Sequence, residues 1–557
     1  MSDSFTFDDI KYEVGATQIL LGVSGSFPKG RISAVFGPTG AGKSSFLDIL
    51  ASRKDASSGR IHLNGRTGYV VQDDILQTSL TCRENISFSA MLRLDRNKFS
   101  SQDREKLIDK TIEDLGLLKV QHALVGDGLC RGLSGGERKR VNIGTELVIQ
   151  PDILFLDEPT SGLDSAMAVS VCDALHELAE RGCTICMSLH QPRYSIFRRM
   201  DHILLLSQGK LVFQGPPDHV VVYFESVGYT CDKFDNPADF MLDTLSGVVP
   251  ENTASSGFSS AHEKLVDSWI RTAKPQILAE SGMVQVFQRP GFYSQFQIIS
   301  RRNITILSRL PQVVLMQFGV MIFFGVITGI IYWKLDLTQN GLQNRLGVFF
   351  FLIMSMVFGN LSAIEIFLKE RVLFVHQKSN KYYDTGPYFL SMLLCDLIPM
   401  RVFPMIIYST ICYTLMGLQP QWSNFGWFLA TLIIEAVCAG TLCYMMSAWI
   451  GVFTIANLAV SVAFVVSMIF GGLLVNLDTL PVFMQWIKYL SFFKYGYESL
   501  AVTELHGLTF EGISGDDILK IRGFSLDARP TDLMALALLS VVFSVLAYVA
   551  LDRLKVH

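Results

Sequence analysis

Two short stretches carry the residue types that handle a phosphorylated ligand. Gly37, Pro38, Thr39, Gly40, Ala41, Gly42, Lys43, Ser44 and Ser45 follow the apolar run Ile32 to Phe36 and open a helical pattern that continues to Ala51. Glycines let the backbone bend until its N–H groups converge, and a helix start adds positive potential, so the segment suits phosphate oxygens. In that setting Lys43 reaches the β- and γ-phosphates and the Ser44 hydroxyl is a ligand for Mg2+. An ordinary glycine turn is the alternative; the strand before and the helix after argue against it. The second stretch, Ile153 to Glu158, is an apolar strand ending in two adjacent carboxylates. In a doubly wound sheet, ligands sit at strand C-termini. Neighbouring strand residues point oppositely, so the acids take separate tasks: Asp157 binds Mg2+ through water, and Glu158 polarises the attacking water. ATP hydrolysis is the implied chemistry.

The elements that position these residues fill only part of the chain. Its 557 residues exceed what one core serves, so at least two domains are expected. Mean hydropathy is +0.34 and charged residues are 18 %. Most charge lies before Arg309 and most long apolar runs lie after it, so a soluble half precedes a membrane half. The net charge of −4 lacks the basic excess of a nucleic-acid surface, which excludes nucleic acid as a partner. Cys183 and Cys186 have no second pair to complete four zinc ligands, and they read as buried structural thiols in the strand Thr184 to Leu189. The acidic stretch Met1 to Ile10 has no apolar core of a secretory signal, so the first domain is expected in the cytosol.

Four further elements narrow the reading: Leu133 with Ser134, Gly135, Gly136 and Glu137; Gln72 after an apolar run; Ser161 to Asp164; and His190 before Gln-Pro. Their order and spacing resemble those of ATP-binding-cassette proteins. The resemblance implies that Ser134 to Glu137 cap an ATP held by the phosphate loop of a second subunit, so one chain does not complete a site. It further implies that Gln72 contacts Mg2+ and the attacking water, that His190 contacts the γ-phosphate and that Asp164 links two sites across a dimer. Tyr12 is placed to stack on adenine, with Val14 an equally placed alternative. The stretch Thr81 to Leu118 corresponds to the family's helical subdomain. Arg138, Lys139 and Arg140 follow the signature on its helix and are expected to be solvated or to steer phosphate.

The fold class expected is an α/β P-loop nucleotide-binding domain, 1–247, followed by an all-α six-helix transmembrane domain, 310–557. Between them, 248–290 read as a linker rich in Ser, Gly and Pro at its start, and 291–309 as an amphipathic connecting helix along the membrane surface. Spans are expected at 312–333, 346–367, 388–416, 425–450, 455–475 and 533–551, the third kinked by Pro399 and Pro404. Lys369, Arg371, Lys378 and Lys381 place the connection after the second span, and with it the C-terminus, in the cytosol. The long external segment is then 476–532, whose residues Met484 to Tyr495 are aromatic enough to dip into the interface. The sequons at Asn85, Asn303 and Asn360 fall on the cytosolic side or within a span, so no N-glycan is expected. Charges inside spans are usually paired. Glu365 and Arg401 are expected to pair, whereas Asp396 and Glu435 have no evident partner.

The order of domains, with Asn236 to Phe240 and Gly472 to Asn476, resembles the G (White-type) subfamily of half-transporters over nearly the whole chain, closest to its multidrug exporters. The N-terminal lead and external segment are shorter than in those exporters. Their external cysteines are missing, so no intersubunit disulfide is expected. Phe351, Ser355 and Phe358 share one helix face. The resemblance implies that they line a substrate slit on the two-fold axis with Ser461 and Val465, closed externally by a plug of Leu473 and Leu474. The function implied is ATP-driven export of hydrophobic or amphipathic small molecules across a membrane, with membrane lipids as further partners, by a homodimer or, alternatively, a heterodimer in the plasma membrane. A selective sterol, lipid or pigment-precursor transporter is the alternative reading, and a regulatory heterodimer subunit a third.

Overall fold

The computed structural model describes residues 4–63, 65–96, 98–126, 132–232, 235–246, 261–272, 290–475 and 481–554. They form two compact units, the first holding residues up to Gly291 together with His376–Tyr383, the second holding Phe292–Val375 and the residues from Asp384 onward.

In the first unit, β1 (Ser4–Val14), β2 (Thr17–Pro28) and β3 (Ile32–Phe36) lead into α1 (Lys43–Leu50), β4 (Ser58–His62) and β5 (Thr67–Val70). Helices α2 (Cys82–Arg93), α3 (Ser101–Asp114) and α4 (Gly135–Leu147) precede β6 (Ile153–Leu156), α5 (Ser165–Glu180), β7 (Thr184–Ser188) and α6 (Tyr194–Phe197). Strands β8 (His202–Ser207) and β9 (Lys210–Gly215) are followed by α7 (Asp218–Ser226), α8 (Pro237–Leu245) and α9 (Ala261–Thr272). The main sheet has the order β5-β6-β7-β3-β8-β9, parallel except for β9. Its strands are buried on both faces and alternate between two cores. Ala34, Phe36, Leu154, Leu156, Ile185 and Met187 join the helical side; Val35, Ile153, Phe155 and Cys186 meet Phe5, Phe7 and Phe27 of the antiparallel sheet β2-β1-β4. A strand covered twice reads as an unbroken apolar run, which makes Ile153–Leu156 visible in the sequence.

Helix α9 lies inside the interval 248–290 that composition assigned to a linker. Leu265 and Val266 are buried, and the Trp269 ring lies 5.6 Å from Phe213 and 5.9 Å from Tyr223. One apolar face on twelve residues suffices for a surface helix, and the Ser/Gly-rich flank disguised it. Residues 248–260 and 273–289 lie outside the described residues.

The second unit is helical. It comprises α10 (Phe292–Arg309), α11 (Pro311–Ile331), α12 (Gln339–Gly359), α13 (Ser362–Ser379), α14 (Thr385–Leu397), α15 (Phe403–Met416), α16 (Trp422–Trp449) and α17 (Phe453–Ile469). A 3-10 turn at Val482–Tyr489, α18 (Phe492–Leu505), the short strands β10 (Thr509–Phe510) and β11 (Ile513–Ser514), α19 (Gly515–Ile521) and α20 (Ala528–Arg553) follow. Among the described residues, five helical stretches are long and apolar enough to cross a membrane: 311–331, 339–379, 385–416, 422–449 and 528–553. The remaining expected span, the fifth at 455–475, corresponds to α17, an apolar helix of 17 residues. Gly325 and Gly329 let α11 approach α15 closely: a Cβ on Gly329 would lie 2.5 Å from Leu415 Cδ1. The buried Gln295 side chain ties α10 to the start of α14, accepting from Asp384 N at 2.9 Å and donating to its carboxylate at 3.2 Å.

Three features depart from the sequence reading of this half. The second span, expected unbroken over 346–367, is interrupted between α12 and α13, where Asn360 donates to the Met356 carbonyl at 2.9 Å. The interval 476–532 is more than a connection: α18 is buried against α16, α20 and α12. Its charges hid it from hydropathy, and they are matched internally, Glu504 with Arg345 at 3.1 Å and Glu498 with Lys494 at 3.8 Å. Glu365 and Arg401 do not pair. Glu365 binds Lys369 one turn along its own helix at 2.6 Å. Arg401 turns to Asp396 at 3.6 Å and donates to Ser362 Oγ at 3.0 Å, while the Tyr444 hydroxyl donates to Asp396. The reason is local: Pro399 sits in a π-turn, Ile398–Val402, between α14 and α15, which brings Arg401 back toward Asp396. Glu435 is fully buried, and neither of its carboxylate oxygens has a hydrogen-bond partner among the described residues.

Candidate nucleotide site

The loop between β3 and α1 is shaped by three glycines with positive φ, Gly37 (153°), Gly40 (81°) and Gly42 (94°). At Gly37 close approach leaves no choice of residue, because a Cβ there would stand 2.1 Å from the Leu206 carbonyl oxygen. Lys43 begins α1 and donates from Nζ to the carbonyls of Gly37 at 2.7 Å and Pro38 at 3.1 Å, which curls its stem back over the loop. Burial pulls the Lys43 ammonium below the usual lysine value, and the charges of Glu158 and Asp157 oppose that shift. Pro38, Thr39, Ala41 and Ser45 complete the loop and the first turn of the helix.

Strand β6 ends beside this loop. Ser44 Oγ donates to Asp157 Oδ1 at 3.1 Å, and Gln72 Nε2 donates to Glu158 Oε2 at 2.8 Å. Five expected residues are thereby brought together: Lys43, Ser44, Gln72, Asp157 and Glu158. His190 reaches the same loop from the end of β7, its Nε2 3.5 Å from Thr39 Oγ1. Glu158, Asp164 and His190 line one cleft of about 550 Å³, together with Ser161, Gln191 and Arg193. Ser44, Asp157 and Gln72 present oxygen ligands only, the donor set that suits a hard cation such as Mg2+.

Two residues that sequence reasoning missed complete the arrangement. Ser188 Oγ donates to Asp157 Oδ1 at 2.5 Å and accepts from Glu158 N at 2.8 Å, so one hydroxyl holds both acidic residues. Its signal was its place at the C-terminus of a strand that pairs with β6. Lys139 is buried rather than solvated, and it donates to the Gln72 carbonyl at 2.7 Å and pairs with Asp74 at 2.8 Å. Arg138 and Arg140 are half-buried.

The signature stands at the start of α4. Ser134 is the N-cap, accepting from Glu137 N at 3.4 Å while Glu137 Oε2 accepts from Ser134 N at 2.9 Å. Gly135 is exposed, and Gly136 packs so tightly on Met167 that a Cβ would lie 2.9 Å from its sulfur. Asp164 caps α5, accepting from Met167 N at 2.8 Å. Tyr12 is half-buried on β1 opposite Leu20, whose methyl would meet a Cβ on Gly42 at 2.9 Å, so its strand lies close to the phosphate loop; Val14 is 53 % exposed. The Cys183 thiol is pushed up to about 12 by burial, with Asp152 adding to the shift. All nine cysteines among the described residues are free.

Comparison with known proteins accords with this geometry. Residues 20–161 match the ABC transporter family, and residues 294–505 and 190–280 match ABC-2 type transporter families. The broad substrate specificity ATP-binding cassette transporter ABCG2 of Bos taurus is 38 % identical over 97 % of this chain and 90 % of its own length. Protein white of Drosophila melanogaster is 32 % identical over 96 % of this chain and 83 % of its own. ABC transporter G family member 22 of Dictyostelium discoideum is 32 % identical over 91 % and 86 %. With a phosphate loop, an acidic strand end and a signature helix on one α/β unit and a helical membrane unit after it, the chain belongs to the G family of ABC transporters, as an ATP-hydrolysing half-transporter.

Proposed function

We propose that the chain exports hydrophobic and amphipathic small molecules as a homodimer, with two ATP sites, each built from the phosphate loop of one chain and the signature of the other. Residues 37–45 cradle the phosphates, with Lys43 on the β/γ oxygens and Tyr12 against adenine. Ser134, Gly135, Gly136 and Glu137 cap the nucleotide of the partner chain, and Asp164 joins the two sites. Ser44, Asp157 and Gln72 hold Mg2+, which when bound neutralises charge on the β- and γ-phosphates. Glu158 orients and polarises the attacking water, Gln72 fixes the Glu158 carboxylate, and His190 reaches the γ-phosphate.

The observation that carries the substrate class is the state of Ser355. On α12 it lies between Phe351 and Phe358, and its hydroxyl is engaged by Tyr408 Oη at 3.1 Å and by the Leu352 carbonyl at 2.9 Å. The stripe therefore offers rings rather than free polar groups, and the Phe358 ring meets Phe464 edge-on at 5.8 Å. Ser461 and Val465 continue the wall on α17, while Leu473 and the exposed Leu474 form the plug after it. Such a wall selects by shape and apolar area, with little hydrogen-bond discrimination. The 38 % identity with a relative described as having broad substrate specificity supports the same reading.

In this reading the boundaries are 1–247 for the nucleotide domain, 291–309 for the connecting helix and 310–557 for the transmembrane domain in the plasma membrane. The segment His376–Tyr383, which is the last turn of α13 and the turn after it, belongs to the nucleotide unit, which supports a cytosolic site for that loop and for the C-terminus. ATPase measurements on the purified, reconstituted protein with a panel of drugs, sterols and lipids test the substrate class. Stimulation by several unrelated amphipathic drugs is expected; stimulation by one sterol or lipid class alone would replace this reading with that of a selective lipid transporter.

A further inference from the structure

Strand β5 is an edge of the six-stranded sheet, and its outward backbone groups are met by side chains. Val70 faces β6, its carbonyl accepting from Asp157 N at 2.9 Å. Tyr69 faces away: its N–H donates to Glu146 Oε2 at 3.4 Å, and its carbonyl accepts from Asn380 Nδ2 at 2.9 Å. The same Asn380 nitrogen donates its other hydrogen to Glu146 Oε1 at 2.8 Å, where the Tyr382 hydroxyl also donates at 3.0 Å. Arg93 donates to Glu146 Oε2 at 2.8 Å and lies 4.5 Å over the Tyr382 ring. Glu146 is 0 % exposed and Asn380 8 %, so the knot is dry. Burial alone would push the Glu146 carboxyl up. Arg93, His376 and the Arg93 and Asn380 hydrogen bonds outweigh it and hold the group below the ordinary glutamate value.

The turn that presents Asn380 is itself fixed. Lys381 adopts φ +58°, Tyr382 N donates back to the Gln377 carbonyl at 2.9 Å and Lys381 N to Lys378 at 3.0 Å. This is a Schellman motif at the end of α13, so Asn380 and Tyr382 have little freedom to leave their partners.

What the two amide hydrogens join is specific. Tyr69 is three residues before Gln72 on the same strand run, and Glu146 lies in the last turn of α4, whose N-cap is Ser134. We propose that Asn380 is a positioning residue for ATP hydrolysis, holding the strand that aims Gln72 and the helix that presents the signature in one register. Without the donors, the Tyr69 carbonyl and Glu146 lose a partner in a buried site where unpaired polar groups are costly, and β5 relaxes. A displacement of about 1 Å at Gln72 is enough to misalign a water held for in-line attack. The inference rests on the ATP hydrolysis of the family and goes beyond the export reading.

Asn380→Asp tests it. The side chain keeps its size, loses both hydrogens and faces Glu146 with a like charge. Steady ATP turnover and ATP KM are measured on the full-length reconstituted protein, with thermal midpoints as a control and wild type as the reference. A fall in kcat of about tenfold or more with KM within about twofold is expected, the split of a residue that positions the hydrolytic step but not the nucleotide. An unchanged kcat overturns the proposal, whatever the thermal midpoint. A parallel loss of kcat, KM and thermal midpoint assigns Asn380 a structural role and overturns it equally. Should Asn380→Asp fail to accumulate, Asn380→Ala, which removes the same two donors without adding a charge, decides by the same split. None of these readouts needs a transported substrate, so failure here is distinct from failure of the export reading.

Discussion

Glu158 adopts φ +44°, a left-handed conformation that costs an L residue about 1 kcal/mol. Backbone strain of this kind persists where surrounding contacts fix it, and Ser188 supplies one by accepting the Glu158 N–H. The turn separates two neighbouring carboxylates, leaving Asp157 with the Ser44 hydroxyl and Glu158 with the Gln72 amide. The split of duties expected from strand alternation thus has a geometric counterpart. Gln72→Ala removes the only amide on Glu158 among the described contacts, so kcat is expected to fall about tenfold to a hundredfold with ATP KM within about threefold, read from steady-state kinetics. The glycines and Lys43 were legible in the sequence because a positive φ, a close approach and a charge each restrict the residue allowed. Ser188 and Lys139 were not, since their partners come from strands and loops distant in sequence.

At the level of elements, doubly covered strands and helix caps were the readable parts. Ile153–Leu156 is apolar without interruption and Ile32–Phe36 is apolar but for the buried Ser33, because both faces are buried. Helices α9 and α18 were hidden for opposite reasons. The first is a short amphipathic piece in a polar interval, and the second carries charges that are matched on folding, Lys494 with Glu498 along the helix and Glu504 with Arg345 of α12. Hydropathy also passed over the break at Asn360, which leaves the apolar content of its run unchanged, whereas Pro399 marked an irregularity in the third span where the π-turn lies. The π-turn decides which charges meet. Single and double alanine substitutions at Asp396 and Arg401 are therefore expected to be non-additive in thermal stability, with a coupling of about 0.5–3 kcal/mol. Glu365 and Arg401, which do not touch, are expected to add within about 0.5 kcal/mol. Additive effects for the first pair would remove the ion pair from the account.

In the whole molecule, the chain order of motifs announces two functions, and the structure adds that the division between the units does not follow chain order alone. His376–Tyr383 sits with the nucleotide unit although it is flanked by helices of the other. Sequence charge, through Lys378 and Lys381, gave a cytosolic expectation for this loop but no sign of the side-chain bonds of Asn380 and Tyr382, which exist only once β5 and α4 are folded. All of this serves one claim: the chain hydrolyses ATP with Glu158 as the group that activates water. Glu158→Gln keeps the shape and removes the base, and its steady ATP turnover, measured beside equilibrium ATP binding on the reconstituted protein, tests that claim most directly. The account expects turnover to fall about a hundredfold or more while ATP affinity stays within about threefold; turnover equal to wild type would contradict it.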